Sequence, residues 1–172
     1  MNAFDPNLKL DAEAVAPLRD EFEPVQLMTP HLLEAFWPLA RPLLDRCVRE
    51  AMHGEFEVDD LHRLALEGKV VIFVFTNDRT GTNPQREVAL AFAAEPVMYP
   101  RLPAINILAM GGKGFDVLQK KYWDYVKGWA FMNGARAIEA WVSPAMQRVL
   151  SRWGYKPIYT HLRCDLTEMN ND

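Results

Sequence analysis

The sequence predicts an α/β protein built on a mixed, mostly antiparallel sheet with helices on both faces. Three observations carry this. KVVIFVFT (69–76) is a β-branched and aromatic run of strand length with no polar face, as a strand covered on both sides requires. EVALAFAAE (87–95) is a second such run, separated from the first only by the turn-rich NDRTGTNPQR, so the two pair as an antiparallel hairpin. AINILAM (104–110) and RAIEAWV (136–142) are strand-like runs joined by a helix-length segment, which makes them a parallel crossover pair.

The remaining elements follow in chain order. Residues 1–24 are acidic and broken by Pro6, Pro17 and Pro24, and read as an irregular arm. Val25 to Met28 reads as a short strand. Thr29-Pro30 then opens a helix, with a hydroxyl to cap the first amides and a proline where no N–H is missed. That helix runs to about Met52, and Pro38 and Pro42 are expected to bend or split it. A second helix runs from about Asp59 to Glu67 and stops at Gly68. Past AINILAM, GGKG (111–114) opens a helix whose Leu118, Tyr122, Tyr125, Trp129 and Met132 share one face, with Lys120, Asp124 and Lys127 opposite. Asn133-Gly134 ends it. Ser143-Pro144 caps a helix to about Trp153. In the segment after it, Ile158, Thr160, Leu162, Cys164 and Leu166 alternate with polar residues, predicting a last strand with one wet face. Residues 25–166 therefore read as a single domain, and 167–172 as a polar tail.

Composition narrows the function. Apolar residues make up 49% and charged residues 24% of the 172, as in an ordinary globular protein. No run approaches the roughly 18 apolar residues of a membrane span. Residues 1–14 lack a basic segment followed by an apolar one, so no secretory leader is expected and the cytoplasm is the expected location. Cys47 and Cys164 are too few for a disulfide scaffold and are expected to be buried thiols. His31, His53, His62 and His161 lack metal-ligand spacing, so no metal site is expected. The net charge of −4 is uneven: residues 1–100 hold nine Lys/Arg against seventeen Asp/Glu, and residues 101–172 hold ten against six. An anionic ligand would meet the C-terminal half. The lysines there are interspersed with Asp116 and Asp124, which argues against sequence-specific nucleic-acid binding.

The order of elements, together with SPAMQRVLSRWGY (143–155), resembles the GNAT acetyltransferase superfamily over roughly residues 25–166. That family's closing helix is written Asn-x-x-Ala-x-x-Leu-Tyr-x-Lys-x-Gly-Phe. Ser143, Met146, Val149, Arg152, Gly154 and Tyr155 stand for the Asn, Ala, Leu, Lys, Gly and Phe. The resemblance implies a GNAT-like fold in which strands 104–110 and 136–142 splay apart beside the glycine turn. It also implies acetyl-CoA as the cofactor, with Leu108, Met110, Gly112, Lys113, Gly114 and Ser143 as the residues that would hold it.

Two departures from the family pattern bear on the chemistry. The family's pyrophosphate motif, Gln/Arg-x-x-Gly-x-Gly, falls on AMGGKG with Ala109 at its first position; aligned from the helix end it falls on GFDVLQ, with Gln119 at the last glycine. The Tyr of the closing helix, often the proton donor to the leaving thiolate, is Leu150 here, and leucine donates nothing. The strand before the glycines offers only Asn106 where a carboxylate base is common. Glu95 and Glu139, on neighbouring strands, are the catalytic candidates that remain. Trp123 and Phe131 lie off the main apolar face of the long helix and are candidate contacts to another chain.

The closest resemblance is to GNAT-like proteins encoded among head and internal-virion genes of tailed bacteriophages, on EFEVDDLHRLALEGKVVIFVF (55–75), Tyr99-Pro100 and WAFMNGARAIEAWV (129–142). It implies a catalytically degenerate virion or assembly component that requires no cofactor and binds phage structural proteins or itself. The alternative is an acyl-CoA-dependent N-acetyltransferase acting on a protein or small-molecule amine. Gly112→Asp is expected to separate the two readings, since a carboxylate beside phosphate would abolish CoA binding and leave an assembly protein unaffected.

Overall fold

In the computed structural model the apolar runs form one five-stranded sheet in the order β1-β2-β3-β4-β5. The structure describes residues 22–164 and 166, so most of the expected arm, Asp165 and the tail from 167 lie outside the described residues, as does the Leu118 side chain. The chain forms two compact units, divided between Trp141 and Val142.

In the first unit, β1 (Glu23–Gln26), β2 (Val71–Thr76), β3 (Val88–Met98) and β4 (Pro103–Gly112) are joined antiparallel, and β5 (Ala137–Ala140) pairs parallel with β4. The mixed sheet expected from the sequence is therefore present. The first strand begins two residues earlier than the apolar pattern suggests, and β3 runs on through Pro96 to Met98.

Helices α1 (Pro30–Ala51) and α2 (Val58–Leu66) cover one face of the sheet, where Phe36, Leu44 and Leu61 pack against Ile72, Val74 and Ala91. Helix α3 (Phe115–Met132) covers the other, where Val126, Ala130 and Trp129 meet Phe73, Phe92 and Ile105. Phe73 stacks on Phe92 with ring centroids 4.9 Å apart and meets Trp129 edge-on at 4.9 Å.

Of the bend or split expected at Pro38 and Pro42, the split does not occur: α1 is one helix from Pro30 to Ala51. Both prolines sit on its exposed face, opposite the buried Leu33, Phe36, Ala40, Leu44 and Val48. The two carbonyls that lose an N–H partner, those of Glu34 and Pro38, belong to exposed residues, so water can satisfy them.

The core face of α3 is also rotated from the expected one. Tyr125 and Met132 are exposed, whereas Trp123 is half-buried against the second core. Trp123 is thus a packing residue of the first unit. Phe131 is exposed and carries the Arg136 guanidinium over its ring at 5.1 Å.

The loop between β2 and β3 is organised by Asp78. Its Oδ1 accepts from the Thr80 amide and hydroxyl, and its Oδ2 from the Asn83 amide. These bonds lower its pKa to about 2. A carboxyl depressed on folding contributes stability that is present above its unfolded pKa, near 4, and is lost as pH falls through about 2. Asp78→Asn should therefore flatten the fall in stability between about pH 4 and pH 2, measured by urea unfolding across that range. An unchanged acid limb would show that the loop contributes nothing to it.

In the second unit, α4 (Pro144–Ser151) is capped by Ser143, whose Oγ accepts from the Met146 amide at 3.3 Å. The strand expected over 156–166 is not formed among the described residues. Ile158, Leu162 and Leu166 of that alternating run are exposed, and so is Cys164, which had been expected to be buried. Alternation alone supplies no ladder partner, and a strand exists only where its amides find one.

Candidate functional site

The site is built where β4 changes partners. On one side β4 pairs with β3, but the register shifts between Ala93 and Ala94: Ala93 faces Ala109 and Ala94 faces Ile107, which leaves Leu108 as an extra, unpaired residue. Ile107 consequently packs in the α3-side core, while Leu108 and Ala109 both turn to the α1 side. On the other side β4 pairs with β5 only from Ala104↔Ala137 to Ile107↔Ala140. From Leu108 to Gly112 that edge of β4 has no strand partner among the described residues. The pairing of the two strands stops after four residues, where β5 itself ends.

One residue before the pairing ends lies a polar row. Glu95 of β3, Asn106 of β4 and Glu139 of β5 are in register with one another across three strands. Strand alternation puts all three on the α1–α2 face, since their neighbours Ala94, Ile105, Ile107, Ile138 and Ala140 belong to the opposite core. Asn106 Nδ2 donates to Glu95 Oε1 at 3.0 Å, and the Tyr99 hydroxyl donates to Glu139 Oε1 at 3.0 Å. Asn106 is only 4% exposed, and its Oδ1 has no hydrogen-bond partner.

A cavity of about 300 Å³ lies over this row. Its floor includes Glu95, Asn106 and Leu108, and its apolar wall includes Phe56, Leu64 and Trp141. From α2 and the connection before it come Glu55, Asp60 and Arg63. The Arg63 guanidinium is shared between Asp60 at 3.0 Å and Glu67 at 3.2 Å. Of the two candidate bases, Glu95 borders the cavity, whereas Glu139 carries the Tyr99 hydroxyl.

The glycines have a packing role in the sheet. A Cβ on Gly111 would lie 2.0 Å from the Leu43 carbonyl oxygen, so this glycine lets α1 lie directly on β4. Gly112 has φ +134° and a Cβ there would lie 2.3 Å from the Ala89 oxygen, so it is fixed by the β3–β4 pairing. Gly112→Asp would therefore damage the sheet whether or not CoA binds, and does not separate the two readings. The Lys113 amide is bonded to the Ala89 carbonyl at 2.7 Å, and Gly114, with φ +72°, caps α3. Ala109, at the motif position where the family has Gln or Arg, is buried in the α1-side core. Asp116 stands in the first turn of α3.

Cysteine chemistry is not favoured at this site. Cys47 packs half-buried beside the α1-side core, where burial pushes its thiol up. No cluster of metal-ligating side chains occurs among the described residues.

The fold has counterparts among solved structures. An aminoglycoside acetyltransferase, meta-AAC0020, from an uncultured soil metagenomic sample superposes with a TM-score of 0.61 at 11% identity, covering 87% of this chain and 99% of that one. An acetyltransferase of Trypanosoma brucei gives 0.55 at 13% identity, over 84% and 99%. The aminoglycoside N-acetyltransferase AAC(6')-Iy, solved in complex with CoA, gives 0.51 at 16% identity, over 83% and 95%. The fold is GNAT-like. No protein-family model and no curated protein matches the chain by sequence. At these identities the likeness concerns the GNAT-like fold itself, with its mostly antiparallel sheet and one parallel pair. The neighbours provide no link to tailed bacteriophages.

The Glu95–Asn106 contact is the part of the site that reading the sequence missed. Each residue was visible, but their adjacency depends on the β3–β4 register, and that register is shifted by the bulge at Leu108.

Proposed function

We propose that the protein is an acyl-CoA-dependent N-acetyltransferase acting on an amine. The observation that carries this reading is the position of Glu95, held by Asn106, beside a cavity at the point where the β4–β5 pairing ends. An amine reaches the protein as an ammonium ion and must lose a proton before its nitrogen can attack. Of the carboxylates that border the cavity, Glu95 is the one on the sheet, and its bond from Asn106 Nδ2 fixes its orientation to take that proton.

The residues present fit the acyl-pantetheine arm of acetyl-CoA. The main chain of Leu108 to Gly112 lacks a strand partner on its β5 side, and so presents N–H and C=O groups to a ligand lying along it. Leu108 and Met110 would hold the arm in this way, and Lys113 with the N-terminal end of α3 would face the phosphates. When bound, acetyl-CoA supplies the acetyl group as a thioester, so that an N–C bond forms, the C–S bond breaks and the proton lost by the amine becomes available to the departing thiolate.

The degenerate, particle-associated reading rests on Ala109, Leu150, the off-face Trp123 and Phe131, and the want of a carboxylate on β4. Glu95, bonded to the β4 residue that stands in its place, removes the last of these grounds. Leu150 still provides no proton, so the thiolate would draw on water or on the acceptor.

Isothermal titration of the protein with acetyl-CoA is expected to give saturable heat below millimolar ligand, and amine acceptors should then release free thiol. No heat at millimolar acetyl-CoA would sink the proposal.

A further inference from the structure

The cavity over the polar row also restricts the acceptor. Among the described residues two buried side-chain oxygens lack a hydrogen-bond partner, Asn106 Oδ1 and Gln119 Oε1, and only the first borders the cavity. Asn106 is almost wholly buried and its Nδ2 is spent on Glu95, so the group that completes this residue must bring an N–H or O–H. The half-buried Glu95 carboxylate beside it likewise only accepts. Together they suit one ligand atom that carries positive charge and at least two hydrogens. An ammonium nitrogen meets both conditions, and a hydroxyl meets neither.

The remaining walls set the body of the ligand. Met52, Phe56, Leu64 and Leu108 line the cavity as half-buried apolar side chains packed against the α1-side core. Asp60 and Arg63, which also line it, are bonded to each other at 3.0 Å; Asp60 further accepts the Glu57 amide at 3.0 Å, and Arg63 reaches Glu67 at 3.2 Å. Their charges are thus matched within α2 and its ends. Glu55, in the connection before α2, is held by the His53 amide.

We propose that the cavity binds a free primary monoamine with a short apolar body. Its ammonium group lies between the Glu95 carboxylate and Asn106 Oδ1, and its hydrocarbon lies along Phe56, Leu64 and Leu108. Once one proton has passed to Glu95, an N–H stays on Asn106 Oδ1 and the freed lone pair is left to form the N–C bond. A volume of about 300 Å³ is at the lower end of small-molecule sites. A protein lysine would carry peptide groups in behind its stem, where Phe56 and Leu64 have nothing to bond them. The inference rests on the transferase reading for the fate of the nitrogen; the binding itself does not depend on it.

Titration calorimetry on the whole chain, without acetyl-CoA, tests this with n-pentylamine, ethylamine, pentyltrimethylammonium, pentanol and Nα-acetyl-lysine methylamide as probes. Pentylamine should bind at least about ten-fold more tightly than ethylamine, whose chain is shorter, and than the trimethylammonium probe, which keeps the charge but has no N–H. Pentanol should give no heat at millimolar concentration, and the lysine derivative should bind more weakly than pentylamine. Phe56→Ala should bring pentylamine towards the affinity of ethylamine. Asn106→Leu should narrow the gap between pentylamine and its trimethylammonium counterpart, with its melting temperature checked alongside. Any of the other four probes binding as tightly as pentylamine, no binding of pentylamine, or a Phe56→Ala protein that keeps its full affinity would overturn the proposal. Pentylamine binding by a protein that gives no heat with acetyl-CoA would support this site and remove the transferase reading. Acetyl transfer to other amines by a protein that does not bind pentylamine would do the reverse.

Discussion

Glu95→Gln is expected to lower kcat for acetyl transfer by about 10²–10⁴-fold, the range over which a positioned general base contributes. The substitution removes the proton acceptor and little else. A glutamine oxygen can still accept from Asn106 Nδ2, so the 3.0 Å contact and the β3–β4 register can persist. Binding of acetyl-CoA should be unchanged, because the arm would lie on the far side of Ile107 along β4. Steady-state kinetics with calorimetry on the same preparation separates the two effects. A glutamine variant with wild-type kcat would remove Glu95 from the chemistry. Glu139→Gln serves as the comparison: Glu139 is tied to the Tyr99 hydroxyl, and its loss should cost much less.

Alanine at Gly111 or Gly112 is expected to have the largest effect on stability, about 3 kcal/mol or more. At Gly111 the new methyl would overlap the Leu43 carbonyl and push α1 off the sheet. At Gly112 it would meet the Ala89 oxygen and the Leu90 Cα, on a backbone with positive φ. Backbone cannot move aside as the end of a flexible side chain can, so strand pairing or helix packing has to yield. Urea unfolding of both variants, with and without acetyl-CoA, measures this. A Gly112→Ala protein that keeps wild-type stability and loses only CoA binding would make phosphate contact, and not packing, the task of Gly112.

Local chemistry made much of the fold legible. The run at 69–76 could be nothing but a covered strand, because no polar side chain interrupts it. Thr29 and Ser143 announce helix starts through hydroxyls that do cap them. The parallel pair followed from a helix standing between two strands. These are properties of a few consecutive residues, and neighbours in sequence are sufficient to express them.

The remainder depended on which segments meet. Pro38 and Pro42 are harmless because the face they occupy is the one turned to solvent, and only the sheet beneath α1 determines which face that is. The alternating run from Ile158 to Leu166 predicts a strand that no ladder partner completes among the described residues. Gly111 and Gly112 allow close packing against Leu43 and Ala89, each some distance away along the chain, and nothing in GGKG itself announces those partners. The sequence by itself determined the elements from β1 to α4, their order and the mixed character of the sheet. Only the tertiary structure decided the site: a one-residue bulge at Leu108 sets which side chains share a face, and so whether Glu95, Asn106 and a cavity come together.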